Sequence, residues 1–275
     1  MELKATRYEV IDGVAVITLA RPHRNNAWTG RMHTEFRWLM SEAEADPTVR
    51  VVIITGDGKD FCVGADTQAL EGHAEKGGYD PGTPADLAMP GYGVAPQFDQ
   101  NFAWMMALET TTIAAVNGAA AGVGLVAACY CDLRFAASTA KITTAHGPIG
   151  LPAEYGLSWL LPRQIGLTRA NDLLFSSRKF LAAEVADWGM FNAVVEPDEL
   201  MPTVRDYAEQ LVRRVAPHAL ATTKRQVYLD QHRDVGSAVH EADRLLDAAM
   251  REPDYREGVQ ALIEGRPAKW AVRPT

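Results

Sequence analysis

Cysteine is scarce in this chain, with three in 275 residues: Cys62, Cys129 and Cys131. An odd number without a Cys-x-x-Cys pair excludes a disulfide framework and a cysteine zinc site, and fits buried thiols in a reducing compartment. Positive charge is also short, with 27 Lys and Arg against 35 Asp and Glu and a net charge of −8. That balance argues against a general nucleic-acid or anionic-membrane binder. No uncharged apolar run reaches the roughly 18 residues of a membrane span, and Met1-Glu2-Leu3-Lys4 leads directly into strand-like sequence rather than a signal-peptide region. The chain therefore reads as cytosolic, with no membrane and no nucleic acid among its partners. Its His residues show no metal-ligand spacing, so neither a metal nor a separate cofactor is expected.

What is present is an ordinary globular composition, 47% hydrophobic and 23% charged, on a chain long enough to bury a core unaided. Residues 8–19 alternate apolar and polar around Asp12-Gly13, which predicts a hairpin. Met32, Phe36, Leu39, Met40 and Ala43 recur at helical spacing behind Thr29, a residue suited to cap a helix over 29–45. Val51 to Gly56 is a continuous apolar run, as expected of a strand buried on both faces. Residues 72–97 are so rich in Gly and Pro that they read as an insertion without regular structure, either a lid or a mobile segment. An apolar helix is then expected over 98–108, strands over 112–116, 132–137, 141–144 and 192–195, and helices over 125–130, 154–165, 168–176, 182–189, 199–215, 217–232, 235–250 and 252–264. Mixed α/β thus gives way to helices, and the chain divides into a core over 1–195 and a helical region over 196–275.

Two glycine-bearing turns sit where a strand hands over to a helix: Phe61-Cys-Val-Gly-Ala-Asp66 and Asn117-Gly-Ala-Ala-Ala-Gly-Val-Gly124. Free backbone N–H groups at such turns suit a negative oxygen. Taken singly, each turn is equally a tight bend with close helix packing. The spacing of the second is neither a dinucleotide fingerprint nor a P-loop.

Taken together and in this order, the turns resemble those of the crotonase (enoyl-CoA hydratase/isomerase) superfamily. Arg21-Pro-His-Arg-Asn-Asn-Ala27 resembles its early CoA-binding turn, and the similarity continues through Gly150-Leu-Pro-Ala-Glu-Tyr-Gly156, Leu161-Pro-Arg-Gln-Ile-Gly166 and Ala182-x-Glu-x-Ala-x-x-Trp-Gly-Met-Phe-Asn192. The resemblance implies an α/β crotonase-type spiral of stacked ββα units with a C-terminal helical oligomerisation region, in a homotrimer or a hexamer made as a dimer of trimers. It implies an acyl-CoA thioester substrate in fatty-acid or related degradation. The amides of Val63 and Val123 would hold the thioester oxygen. Arg24, Asn26, Ala27, Trp28, Gly64, Ala65, Asp66, Gly122 and Lys224 would bind substrate or CoA.

The acid/base groups depart from the pattern of well-studied hydratases, whose paired glutamates would fall at Val126 and His146. Two carboxylates are needed to hold and activate one water for addition, which disfavours simple hydration. Glu154 instead occupies the place of the single catalytic carboxylate in relatives resembling Δ3,Δ2-enoyl-CoA isomerases, where one group moves one proton. His146, eight residues earlier, forms with Glu154 an alternative carboxylate-oriented base for hydrolysis of a β-dicarbonyl or acyl-CoA. A third reading is a non-catalytic acyl-CoA binder. Trp28, Trp104, Trp159 and Phe98 read as pocket walls or core.

Overall fold

The computed structural model describes residues 1–78 and 81–272. The chain opens with β1 (Thr6–Ile11) and β2 (Val14–Leu19), paired antiparallel with Thr6 opposite Leu19. Asp12 and Gly13 both take positive φ, 50° and 81°, the tight hairpin turn whose twist suits the flanking strands. Helix α1 (Gly30–Ala45) is capped by Thr29, whose hydroxyl accepts from the Met32 amide at 3.1 Å. Its buried face carries Met32, Phe36, Leu39, Met40 and Ala43, the five positions read from the helical spacing. There follow β3 (Val51–Gly56), α2 (Thr67–Lys76), β4 (Thr111–Val116), β5 (Ala120–Ala121), α3 (Val123–Tyr130), β6 (Leu133–Ala137) and β7 (Lys141–Thr143). Then come α4 (Leu157–Ile165), α5 (Leu167–Ser176), β8 (Phe180–Leu181), β9 (Ala193–Val195), α6 (Leu200–Arg214), α7 (Pro217–Asp230), α8 (Val235–Ala249) and α9 (Pro253–Glu264).

The strands form two sheets. The larger runs β1-β2-β3-β4-β6-β9, parallel from β2 onward. Its central strands β3 and β4 are buried along almost their whole length, which accounts for runs such as Val51-Val52-Ile53-Ile54 without polar alternation. Burying each such side chain contributes roughly 1.5–3 kcal/mol. The smaller sheet is β5-β7-β8, and two isolated parallel bridges, Trp28 with Ala65 and Cys62 with Ala120, extend it toward the start of the chain. Each successive layer thus adds one strand to the main sheet and a short piece to the second, the repeating unit of the crotonase-type spiral. Both candidate turns lie on this second ladder.

Several expected bounds change. Helix α2 reaches Lys76, so the segment 72–97 is not wholly irregular; positions 79 and 80 lie outside the described residues. The α-helix expected over 98–108 is replaced by 3-10 turns at Pro96–Phe98 and Ala103–Ala107, because Phe102 between them takes φ 63°. Only Ala182–Val185 of the helix expected over 182–189 is helical, as a 3-10 turn. Residues 154–156 form a turn ahead of α4, with Tyr155 at φ 48° and Gly156 at 78°. The core also crosses the division expected at 195, since Leu200, Val204 and Ala208 of α6 are buried in it. Among the described residues no helix is long and apolar enough to cross a membrane.

Candidate active site

The two glycine turns meet. Cys62 donates to the Ala119 carbonyl and Ala121 donates to the Cys62 carbonyl, both at 2.9 Å, which clips the second turn onto the first. The contact is close enough that a Cβ on Gly124 would lie 2.3 Å from the Cys62 carbonyl oxygen, so only glycine lets α3 start here. On the other side of the first turn, Trp28 donates to the Gly64 carbonyl at 2.8 Å and Asp66 donates to the Trp28 carbonyl at 2.9 Å. In such a parallel bridge the middle residue, Ala65, directs its own N–H away from Trp28, toward the second turn.

This pairing corrects one expectation. The Val63 amide is already engaged, donating to the Asn25 carbonyl at 3.3 Å, whereas the amides of Ala65 and Val123 have no acceptor among the described residues. Ala65 and Val123 thus supply one unengaged amide from each turn. Val123 is the first residue of α3, behind Gly122 at φ 47° and ψ −123°, a conformation open essentially to glycine. Its N–H is one of the unsatisfied donors at the positive end of the helix dipole.

Three residues expected to bind substrate or CoA instead use their side chains to build the turns. Asn26 is fully buried: its Nδ2 donates to the carbonyls of Asp57 and Asp60, and its Oδ1 accepts from the Arg21 amide. Asp66 is buried and accepts from Arg21, Arg24 and the Gln68 amide. Desolvation pushes its carboxyl up, but the hydrogen bonds from Arg24, Gln68 and Arg21 outweigh that and hold it below the usual carboxylate range. The Trp28 ring is buried against Phe36 and Phe102, at 5.5 and 5.8 Å between centroids. Lys224 departs furthest from expectation. It is buried on α7, where Nζ donates to the Thr110 carbonyl at 2.9 Å and pairs with Asp132 at 2.8 Å. Asp132 accepts as well from Tyr228, from the Thr112 amide and from its hydroxyl. With its charge matched and its donors directed inward, Lys224 is a brace between α7 and the base of β4 and β6. Arg24 keeps a partly exposed guanidinium beside Asp66, and Ala27, Gly64 and Gly122 stay in the turns.

Glu154 lies in the turn before α4, held by Leu157, which donates to its backbone carbonyl, and by Tyr130, whose hydroxyl donates to the Tyr155 carbonyl at 2.7 Å. The side chain is partly buried and makes no hydrogen bond among the described residues. Desolvation lifts its carboxyl above the usual range, and the attraction of His146 opposes the shift. His146 is buried, with Nε2 3.1 Å from the Leu174 carbonyl. A carbonyl only accepts, so Nε2 carries a proton; Nδ1 is buried without a hydrogen bond among the described residues. The expected carboxylate-oriented dyad is therefore not formed. Leu174 orients the ring, and Glu154 acts on it only through space.

Tyr155 and Gly156, the two residues after Glu154, line a cavity of about 510 Å3, which sequence reasoning did not delimit. Its walls include Phe98, Met106, Tyr130, Tyr155, Trp159 and His232. Phe102 ties it to the turns: its ring packs on Trp28, Tyr130 and Tyr155. Trp159 and Phe98, expected as walls or core, are walls; Trp104 is core.

Comparison with known proteins agrees with this arrangement. The enoyl-CoA hydratase/isomerase family model matches residues 9–273. The chain is 32% identical over 258 residues to a 1,2-epoxyphenylacetyl-CoA isomerase of Escherichia coli K12, covering 92% of this chain and 93% of the relative. It is 30% identical over 267 residues to a short-chain-enoyl-CoA hydratase of Clostridium acetobutylicum, covering 97% of each. The crystal structure of an enoyl-CoA hydratase from Polaromonas sp. JS666 superposes with a TM-score of 0.84 at 25% identity, covering 98% of this chain and all of that one. With the paired strand-to-helix turns, the two-ladder spiral and matches along nearly its whole length, the chain belongs to the enoyl-CoA hydratase/isomerase family.

Proposed function

We propose that the protein is an acyl-CoA enzyme that forms a thioester enolate, and that it shifts a double bond rather than adding water across one. The observation that carries this reading is the desolvated carboxylate of Glu154, without a hydrogen bond among the described residues, in a chain whose two glycine turns each leave one amide unengaged, at Ala65 and Val123. In this mechanism the thioester oxygen accepts from the N–H groups of Ala65 and Val123, with the α3 dipole behind Val123. Glu154 takes a proton from C2 of a 3-enoyl thioester, and the negative charge moves onto the held oxygen. The protonated Glu154 then returns the proton at C4, and the double bond rests between C2 and C3. Burial makes the carboxylate a stronger base than an exposed one, as such a transfer requires. Each amide donor is worth about 3 to 4 kcal/mol of transition-state stabilisation.

Hydration would need a second carboxylate to orient water, and the two places that would supply it hold Val126 and His146. The Nδ1 of His146, buried without a hydrogen bond among the described residues, supports a second reading, a histidine-assisted hydrolase of a β-dicarbonyl or acyl-CoA. Its lack of a hydrogen bond to Glu154 weighs against that reading. Large exposed apolar side chains on α8 and α9 support assembly with further copies of the chain as a homotrimer or a dimer of trimers. The test of function is turnover of 3-enoyl-CoA and 2-enoyl-CoA esters by purified protein. Isomerisation that falls at least about 100-fold in Glu154→Gln supports the reading. Hydration as the main activity, or isomerisation indifferent to that substitution, overturns it.

A further inference from the structure

The cavity lined by Tyr155 and Gly156, just after Glu154 in the chain, is walled by rings. Phe98, Tyr130, Tyr155, Trp159 and His232 surround about 510 Å3; Met106 is the one long aliphatic side chain among the lining residues, and no Leu, Ile or Val is among them. That is an unusual composition for a pocket meant to receive a flexible alkyl chain, which needs only apolar area.

The rings are also held in place. Trp159 stacks on His232 with centroids 5.7 Å apart and planes 8° apart, and the Arg163 guanidinium lies 4.0 Å from the Trp159 ring centroid. Tyr130 is fixed at its hydroxyl by the Tyr155 carbonyl and along its ring by Phe102, at 6.2 Å with planes 21° apart. Tyr155 meets Phe102 edge to face at 5.4 Å. Walls of this kind change shape little on binding and present preformed aromatic faces and edges.

We propose that the acyl group filling this cavity is aromatic, with one ring or two fused rings carried on the CoA thioester; the inference rests on the acyl-CoA reading of the same site. Size agrees. An apolar cavity of about 150 Å3 takes up one benzene, so the space of about 510 Å3 admits a bicyclic group with its linker. Energetics favour a ring over a chain of equal apolar area. Well-placed aromatic pairs add affinity beyond area burial, and a rigid ring loses less conformational freedom on binding than an alkyl chain does. At the outer end the lining turns polar, with Gln97, Gln100 and Asn101 exposed, so a ring hydroxyl there keeps its hydrogen bonds.

The test is calorimetric binding of free CoA, butanoyl-CoA, octanoyl-CoA, phenylacetyl-CoA and 2-naphthylacetyl-CoA to the wild-type protein. Both aryl esters are expected to bind at least about tenfold tighter than octanoyl-CoA, the outcome of two added aromatic contacts. Trp159→Leu, and separately Phe98→Leu, are expected to bring that ratio down to about one. Either variant suffices if the other fails to fold. Octanoyl-CoA binding as tightly as the aryl esters, or both substitutions weakening all esters alike, overturns the proposal and leaves the acyl-CoA reading standing. If neither free CoA nor any thioester binds, the acyl-CoA reading itself fails, and the aromatic preference with it.

Discussion

His146 donates a hydrogen bond from Nε2 to the carbonyl of Leu174, 3.1 Å away, and among the described residues none of its hydrogen bonds reaches Glu154. The histidine therefore affects the carboxylate only through its charge, and that charge lowers the Glu154 pKa when present. Replacing His146 with Ala removes the attraction and leaves desolvation unopposed. The acid limb of kcat/KM for isomerisation is expected to move to higher pH, with the plateau rate within a few-fold of wild type. A histidine serving as general base would instead cost about 100- to 10,000-fold at every pH. A pH–rate profile of His146→Ala separates the two.

Glu154 carries a stability consequence whose sign follows from its raised pKa. At pH below the ordinary carboxylate value of about 4.3, the group is protonated in folded and unfolded chains alike and costs nothing. As the pH rises through the folded pKa, the native state must hold a desolvated charge, so stability falls. Glu154→Gln removes that penalty. Its Tm is expected to exceed that of wild type at pH 8 and to match it near pH 4. Thermal melts at the two pH values check this, and a variant less stable at pH 8 would contradict it. A catalytic group kept at a cost in stability is what such a result would mean.

Much of the fold was legible in the sequence because local chemistry determined it: the Asp12-Gly13 hairpin, the Thr29 cap and the apolar stripe of α1 depend on neighbours in the chain. What was not legible depended on distant pairing. Which amide of residues 61–66 stays unengaged is decided by the bridge to Trp28 and by the Asn25 carbonyl, neither of which leaves a mark in the turn itself. Helix α2 was hidden because Gly72, Gly77 and Gly78 resemble loop composition, yet Gly72 sits inside the helix with open space around it. The orientation of His146 was hidden because its partner is a backbone carbonyl, which any residue at 174 would provide.

Lys224 shows the same limit on a charged residue. The resemblance implies a CoA contact for it, but Asp132, distant in sequence, lies opposite and takes it inward. Lys224→Met leaves the Asp132 carboxylate without its cation, and breaking a buried pair in this way costs about 3–5 kcal/mol. The loss should appear in urea unfolding. CoA-ester affinity of the folded protein should stay at the wild-type value, whereas a lysine contacting CoA would lower affinity at unchanged stability.

The exposed apolar residues of the last two helices are too many and too large for an ordinary free surface. Val235 is 81% exposed, Leu262 82% and Ile263 75%, and large apolar side chains left exposed in numbers mark interaction sites. Light scattering is expected to give three or six times the chain mass of 30.0 kDa. Leu262→Glu combined with Ile263→Glu is expected to shift the population to smaller species. A wild-type monomer at micromolar concentration would contradict the assembly.

The oxyanion assignment is open to a test that removes an N–H while sparing the helix. Val123 is the first residue of α3, the one helical position where proline is well tolerated, because its amide has no partner within the helix and its φ is already suitable. Gly122 ahead of it lies outside the helical region that a following proline disfavours. Val123→Pro therefore deletes the donor and places ring carbon where the oxygen would sit, with little expected change in circular dichroism. Loss of one such donor lowers kcat by about 100- to 1,000-fold. Val123→Ala keeps the N–H and should turn over within a few-fold of wild type, which separates loss of the amide from loss of the side chain. Full activity in the proline variant would show that the thioester oxygen sits elsewhere, and the role argued for Ala65, whose N–H is directed at the same turn, would fall with it.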